Sequence, residues 1–118
     1  LYTAAADTRI KAALSCSFFN DRGIYCWNDW VFQSKRSFFD PEVAMLCCPR
    51  PLFIAVGEND PLFLADSARA EAERLRALSV SAYGSADWFS FYSFDGGHEF
   101  IKNDELLLRF IREIRGKE

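Results

Sequence analysis

The chain has 118 residues, half of them apolar and 26% charged, which is room for one compact domain and too little for two. Its formal net charge of −3 comes from scattered acids and bases with no basic face, which argues against a nucleic-acid partner. No apolar run approaches the roughly 20 residues that span a bilayer, so no membrane partner is expected either.

In chain order, residues 1–6 read as the tail of a helix, 7–9 as a turn and 10–17 as a first strand. The opening on Leu1, with no charged segment ahead of an apolar one, reads as a trimmed piece without a secretory signal. No glycine-rich turn joins a strand to a helix, which sets aside dinucleotide and phosphate-loop cradles. Residues 18–37 interleave aromatics with Asn, Asp and Gly without a sustained period, and predict a long excursion over the carboxyl end of a sheet. Trp27, Trp30 and Phe32 within it suit either a substrate pocket or the excursion's own packing. Asp40 before Pro41 predicts an N-cap with proline at the first helical position, hence a short helix over 41–48.

Leu52, Phe53, Ile54, Ala55 and Val56 form an apolar run without alternation, the pattern of a strand covered on both faces, here predicted over 51–57. Gly57 ends it, and Glu58, Asn59 and Asp60 follow before Pro61. A carboxylate is thereby delivered to the carboxyl end of the strand, where open α/β sheets place their chemistry. Leu64, Ala68, Ala72, Leu75 and Leu78 recur at helical spacing, with Arg69, Glu73 and Arg76 turned outward, and predict a helix over 64–79. Residues 79–87 read as a loop containing Gly84, and the aromatic run 88–94 as a third strand ending in DGGHEF. Asn103 caps a last helix over 103–115. Its apolar stripe is Leu107, Phe110, Ile111 and Ile114, with Arg112, Arg115 and Lys117 near its negative end. Strands alternating with helices predict an α/β fold, a three-stranded parallel sheet with flanking helices.

Two loops offer candidate catalytic groups: Asp60 follows the second strand, and His98, the chain's one histidine, follows the third. Adjacent parallel strands put these loops side by side, so the Asp60 carboxylate would hold the imidazole in one tautomer and stabilise its protonated form. Gly96 and Gly97 would allow positive φ and a close backbone approach that aims the histidine over the sheet. Asp95 is either an alternative partner or a turn former ahead of the glycines, and Glu58 and Glu99 flank the pair as solvated loop charges. Cys16, Cys26, Cys47 and Cys48 lack C-x-x-C spacing and two are adjacent, which fits reduced structural thiols better than a zinc site or a disulfide framework. No metal or cofactor is expected, and the expected compartment is the cytoplasm. Twelve Phe, four Tyr and three Trp are many for this length, so either the core is aromatic-rich or part of this surface faces something else.

At these residues the chain resembles the carboxyl-terminal half of the α/β-hydrolase superfamily, in particular its dienelactone hydrolase and acetyl-xylan-esterase-like branches, some of which shade into prolyl-oligopeptidase-like enzymes. PRPLFIAVGENDPLF is similar to the strand and loop of the family's catalytic acid, FDGGHEF to the loop of its histidine, and TAAADTRIKAALSCSFF to the strand after the nucleophile's helix. The resemblance implies a serine hydrolase acting on a small-molecule ester, less readily a peptide, with Asp60 as the triad acid and His98 as general base. The family's nucleophile stands in a G-x-S-x-G elbow, and no such motif occurs in this sequence, so the chain alone is expected to be inactive. Ser15, Cys16 and Ser17, at the end of the first strand, offer themselves as substitutes without standing in a strand-to-helix elbow. A first strand without its outer neighbour leaves an open edge, and predicts a homo-oligomer through that edge. The competing reading is a non-catalytic α/β module that works through self-association.

Overall fold

The computed structural model describes residues 1–24 and 37–116. Its elements run α1 (Tyr2–Ala6), β1 (Ala13–Cys16), α2 (Asp40–Met45), β2 (Leu52–Gly57), α3 (Ala65–Tyr83), β3 (Phe89–Phe94) and α4 (Asp104–Arg115). The strands form a parallel sheet in the order β1-β2-β3, with Ile54 of β2 in register with Ser15 on one side and Phe91 on the other. Every β2 residue is buried. Leu52 and Ile54 pack with Ala4, Ala44, Ala72 and Leu75 from α1, α2 and α3, whereas Phe53 and Ala55 pack with Phe94, Leu107 and Phe110 on the α4 side. The unbroken apolar run is thus the central strand of an α/β fold, covered on both faces because helices lie on both faces.

Element boundaries moved where side chains intervene. β1 begins at Ala13 and not at residue 10, because Ile10 N–H closes a turn onto Asp7 O at 3.2 Å and the Arg50 guanidinium takes Ile10 O at 2.8 Å. Its ladder with β2 continues as far as Ser17 N–H on Ala55 O, at 2.9 Å, and there the backbone turns to φ 53°. Asp40 is not the N-cap of α2. Arg22 Nε lies 3.0 Å from its Oδ1 and the Asn20 N–H 2.9 Å from its Oδ2, so the side chain is occupied elsewhere and Asp40 enters the first turn. Phe39 is the N-cap instead, and its N–H donates to Glu42 at 3.0 Å. The predicted helical residues 46–48 form tighter turns, with Cys47 N–H on Ala44 O at 2.8 Å and Cys48 N–H on Met45 O at 3.1 Å, as suits a segment that runs into Pro49.

α3 corrects the loop expected over 79–87. The helix runs on to Tyr83 and stops at Gly84, whose φ of 84° is the left-handed C-cap that glycine adopts without penalty. Ser79, expected to open the loop, is fully buried inside the helix: its hydroxyl donates to Ser85 O and accepts the Trp88 indole N–H. Ala68, Ala72 and Leu75 do face the core, while Leu64 is the half-exposed N-cap and not part of that face. α4 starts as expected, the Asn103 side chain accepting the Leu106 N–H at 3.1 Å, yet none of its residues is fully buried. Its stripe meets the sheet chiefly through Phe110, whose ring centroid lies 5.3 Å from that of Phe53. Trp27, Trp30, Phe32, Cys26 and Lys117 lie outside the described residues.

Candidate functional site

At the carboxyl end of β2 the chain turns at once, with Asp60 N–H donating to Gly57 O at 3.2 Å. The Asp60 side chain is wholly buried and its two oxygens have separate duties. Oδ1 accepts the backbone N–H of Leu62 at 2.8 Å and of Phe63 at 3.0 Å, which closes the loop leading to α3. Oδ2 lies 2.9 Å from Nδ1 of His98. A carboxylate can only accept, so the proton of this contact sits on Nδ1, which in a neutral ring places the lone pair on Nε2. The carboxylate is sealed off while the imidazole is 41% exposed, so the ring is open to solvent and the acid that holds it is not.

His98 reaches this position because its loop travels across the end of β2. Glu58 N–H donates to Phe94 O and Asn59 N–H to Gly96 O, both at 2.9 Å, extending the β2–β3 pairing past the strands. The approach is closest at Gly57, where a Cβ would lie 2.5 Å from Gly96 O and nearer still to Gly97 O. Glycine is needed for that contact and not for positive φ at Gly96 or Gly97, since Gly84 is the one described glycine in the left-handed region. Past the histidine, Glu99 O accepts the Ser17 hydroxyl at 2.7 Å and Ile101 N–H donates to Cys16 Sγ at 3.3 Å. Phe63 stacks on the imidazole with centroids 5.4 Å apart and planes 11° from parallel.

The other candidates have different occupations. Asp95 is exposed and its Oδ1 accepts from Asn59 Nδ2 at 3.5 Å, so of the two acids Asp60 is the one at the histidine. Glu58 pairs with Arg69 at 2.5 Å and Glu99 with Lys102 at 3.2 Å. Ser15 stands within the sheet opposite Ile54, not at its end, and its buried hydroxyl has no partner among the described residues. The Ser17 hydroxyl and the Cys16 thiol are both directed at Glu99 O, and neither bonds the imidazole. Cys16, Cys47 and Cys48 are free, and burial raises the Cys47 and Cys48 thiols above the usual range. Among the described residues no group of three or more His, Cys, Asp or Glu is placed to hold a metal ion, and no helix is long and apolar enough to cross a membrane.

A buried polar cluster beside the site had no local signature in the sequence. Arg22 and Asp40 form an ion pair at 3.0 Å with side chains 6% and 0% exposed, and the Arg22 guanidinium lies 4.5 Å over the Phe18 ring. Burial raises the Asp40 carboxyl, outweighing the Arg22 charge and the Asn20 N–H that draw it down. Asn20 extends the cluster to α3, its Nδ2 donating to Leu64 O at 3.1 Å and its Oδ1 accepting the Ser67 hydroxyl at 2.9 Å. Phe18 packs 5.8 Å from Phe63, so the ring behind His98 is itself backed by this cluster. A fixed aspartate–imidazole pair of this geometry can orient a general base.

A scan against protein-family models, a search of curated proteins and a search of solved structures each found no match for the chain.

Proposed function

We propose that this chain is the carboxyl-terminal part of a serine hydrolase of the α/β-hydrolase type that cleaves small-molecule esters, and less readily peptides. The observation that carries the reading is the 2.9 Å contact between His98 Nδ1 and the buried Asp60 carboxylate. In this mechanism a serine from residues outside this chain attacks the ester carbonyl carbon as its proton passes to Nε2 of His98. Collapse of the tetrahedral intermediate breaks the ester C–O bond, and the imidazolium returns the proton to the departing alcohol. Water then repeats the sequence on the acyl-enzyme and releases the acid. Asp60 keeps Nδ1 protonated and balances the imidazolium charge. The reaction needs no cofactor, and the free thiols suit a cytoplasmic setting.

The test is fluorophosphonate labelling of the longer product of the same reading frame. A serine should be labelled, about 100-fold or more slowly after His98→Ala, in line with the usual contribution of a general base. No labelled serine, or labelling indifferent to His98, counts against the reading.

A second reading, a non-catalytic module acting through self-association, is favoured by one surface. A groove of about 340 Å³ runs between β1 and α4, lined by Ala12, Leu14, Leu107, Phe110 and Ile114, beside the edge of β1 that pairs with no strand among the described residues. Phe100 and Ile111 at its rim are 59% and 45% exposed. A product that assembles but labels no serine would favour this alternative.

A further inference from the structure

The strand order β1-β2-β3 sets a problem for His98, which leaves from β3 but must stand over the end of β2 to meet Asp60. On the near side the loop is held by Gly96 and Gly97 pressed on Gly57, and by Asn59 N–H on Gly96 O. On the far side it is held at the end of β1. There the Ser17 hydroxyl donates to Glu99 O at 2.7 Å, the Cys16 thiol lies 3.5 Å from the same oxygen, and Ile101 N–H donates to Cys16 Sγ at 3.3 Å. The histidine is thus suspended between two anchors, one at the end of β2, the strand that carries its acid, and one at the end of β1.

Ser17 reaches that anchor in an unusual way. Its φ of 53° makes it the one non-glycine residue with positive φ among the described residues, a conformation that costs energy for a residue with a Cβ. The β1–β2 ladder does not demand it, because Ser17 N–H already bonds Ala55 O at 2.9 Å. Its hydroxyl meets the carbonyl of the residue immediately after His98, and Ser17 itself is only 9% exposed. Sulfur is a weak donor, so the hydroxyl is the stronger of the two groups on Glu99 O.

We propose that Ser17 is the positioning residue of the histidine: its left-handed backbone and its hydroxyl pin the far side of the His98 loop and hold Nδ1 on Asp60. This rests on the reading of His98 as the general base. Removing the hydroxyl leaves the loop tethered on its β2 side and held to β1 only by the weaker Cys16 contacts, so that it lifts from β1 more readily and lengthens the Nδ1–H···Oδ2 contact. Ser17 acts through the loop and does not touch a substrate.

The single histidine makes the test direct, because the imidazole nitrogens of the 15N-labelled chain can be observed without competing signals. Ser17→Gly keeps the left-handed conformation accessible and removes the hydroxyl, whereas Ser17→Ala removes the hydroxyl and retains the strain. In both variants the Nδ1-bound proton should exchange with water about five- to tenfold faster, the size expected for one lost net hydrogen bond. The Trp88 indole proton, which donates to Ser79 within the core, should not change, and so reports that the rest of the fold is intact. Should Ser17→Ala fail to fold, Ser17→Gly decides alone. An Nδ1 proton as protected in Ser17→Gly as in the parent chain overturns the proposal. Asp60→Asn serves as the separate control, since it must abolish the Nδ1-bound signal whatever Ser17 does. Failure of that control would remove the acid–base pair itself, and not only its positioning.

Discussion

Gly57, the last residue of β2, lies beneath the carbonyl oxygen of Gly97, the residue before His98, with no room for a methyl group between them. Both sides of this contact are backbone, so neither can yield as a flexible side chain would. Gly57→Ala should therefore cost about 3 kcal/mol in urea unfolding, the upper end of ordinary overpacking. Gly97→Ala is the matched control, since its Cβ would meet nothing nearer than Asn59 O at 4.0 Å, and it should change stability by no more than about 0.5 kcal/mol. Equal costs for the two would contradict the close approach.

Asp60 serves both the loop and the histidine, and two substitutions separate those duties. Asp60→Asn keeps a carbonyl oxygen for the Leu62 and Phe63 N–H groups, which turns its NH₂ toward His98 and forces the proton from Nδ1 to Nε2. Asp60→Ala removes the oxygen that accepts the Leu62 and Phe63 N–H groups and should cost about 1–3 kcal/mol, against a smaller loss for Asn. Nitrogen-15 shifts of the imidazole together with unfolding curves read both effects. An unchanged tautomer in Asp60→Asn would refute the assignment of oxygens.

The chain alone is expected to hydrolyse p-nitrophenyl acetate no faster than its His98→Ala variant, because the sequence holds no G-x-S-x-G motif and both the Cys16 thiol and the Ser17 hydroxyl are engaged at Glu99 O. Steady-state rates of the two proteins check this. Turnover that vanished with Ser15→Ala, Cys16→Ala or Ser17→Ala would make one of them the nucleophile after all.

Asp40 should give stability an acid-side signature. Burial raises its carboxyl in the folded chain, so the native state holds that proton more tightly than the unfolded state does. Its contribution is then fully present below the ordinary aspartate value of about 3.9, and is lost as pH rises through the raised folded value. The stability of the parent chain relative to Asp40→Asn should fall over that window, measured by denaturant midpoints at successive pH values. A difference that grew with pH would mean that the Arg22 charge outweighs burial.

The exposed apolar residues of α4 and the edge of β1, which pairs with no strand among the described residues, predict a two-fold dimer burying at least about 1,000 Å². Ile111→Glu, at an exposed position on that face, should shift the sedimentation profile to monomer without loss of the circular-dichroism signal. A monomeric parent chain at micromolar concentration would exclude such assembly.

What the sequence determined by itself is what short-range physics controls. The unbroken run from Leu52 to Val56 suited a strand buried on both faces, Asn103 marked the start of α4, and Asp60 and His98 lay just past the ends of two strands. These were legible because hydrophobic pattern, capping and strand ends act over a few neighbouring residues. The full length of α3 was not, since Ser79 looked like a loop residue until its hydroxyl found Ser85 and Trp88. Nor was the Arg22–Asp40 pair, which took the expected N-cap away from α2. The site itself was completed only in three dimensions: Phe63 against the imidazole, Gly57 beneath Gly97, and Ser17 on a carbonyl 82 residues away. Such contacts depend on strand order and on how one loop crosses another, and neighbouring residues carry no imprint of a partner that distant in the chain.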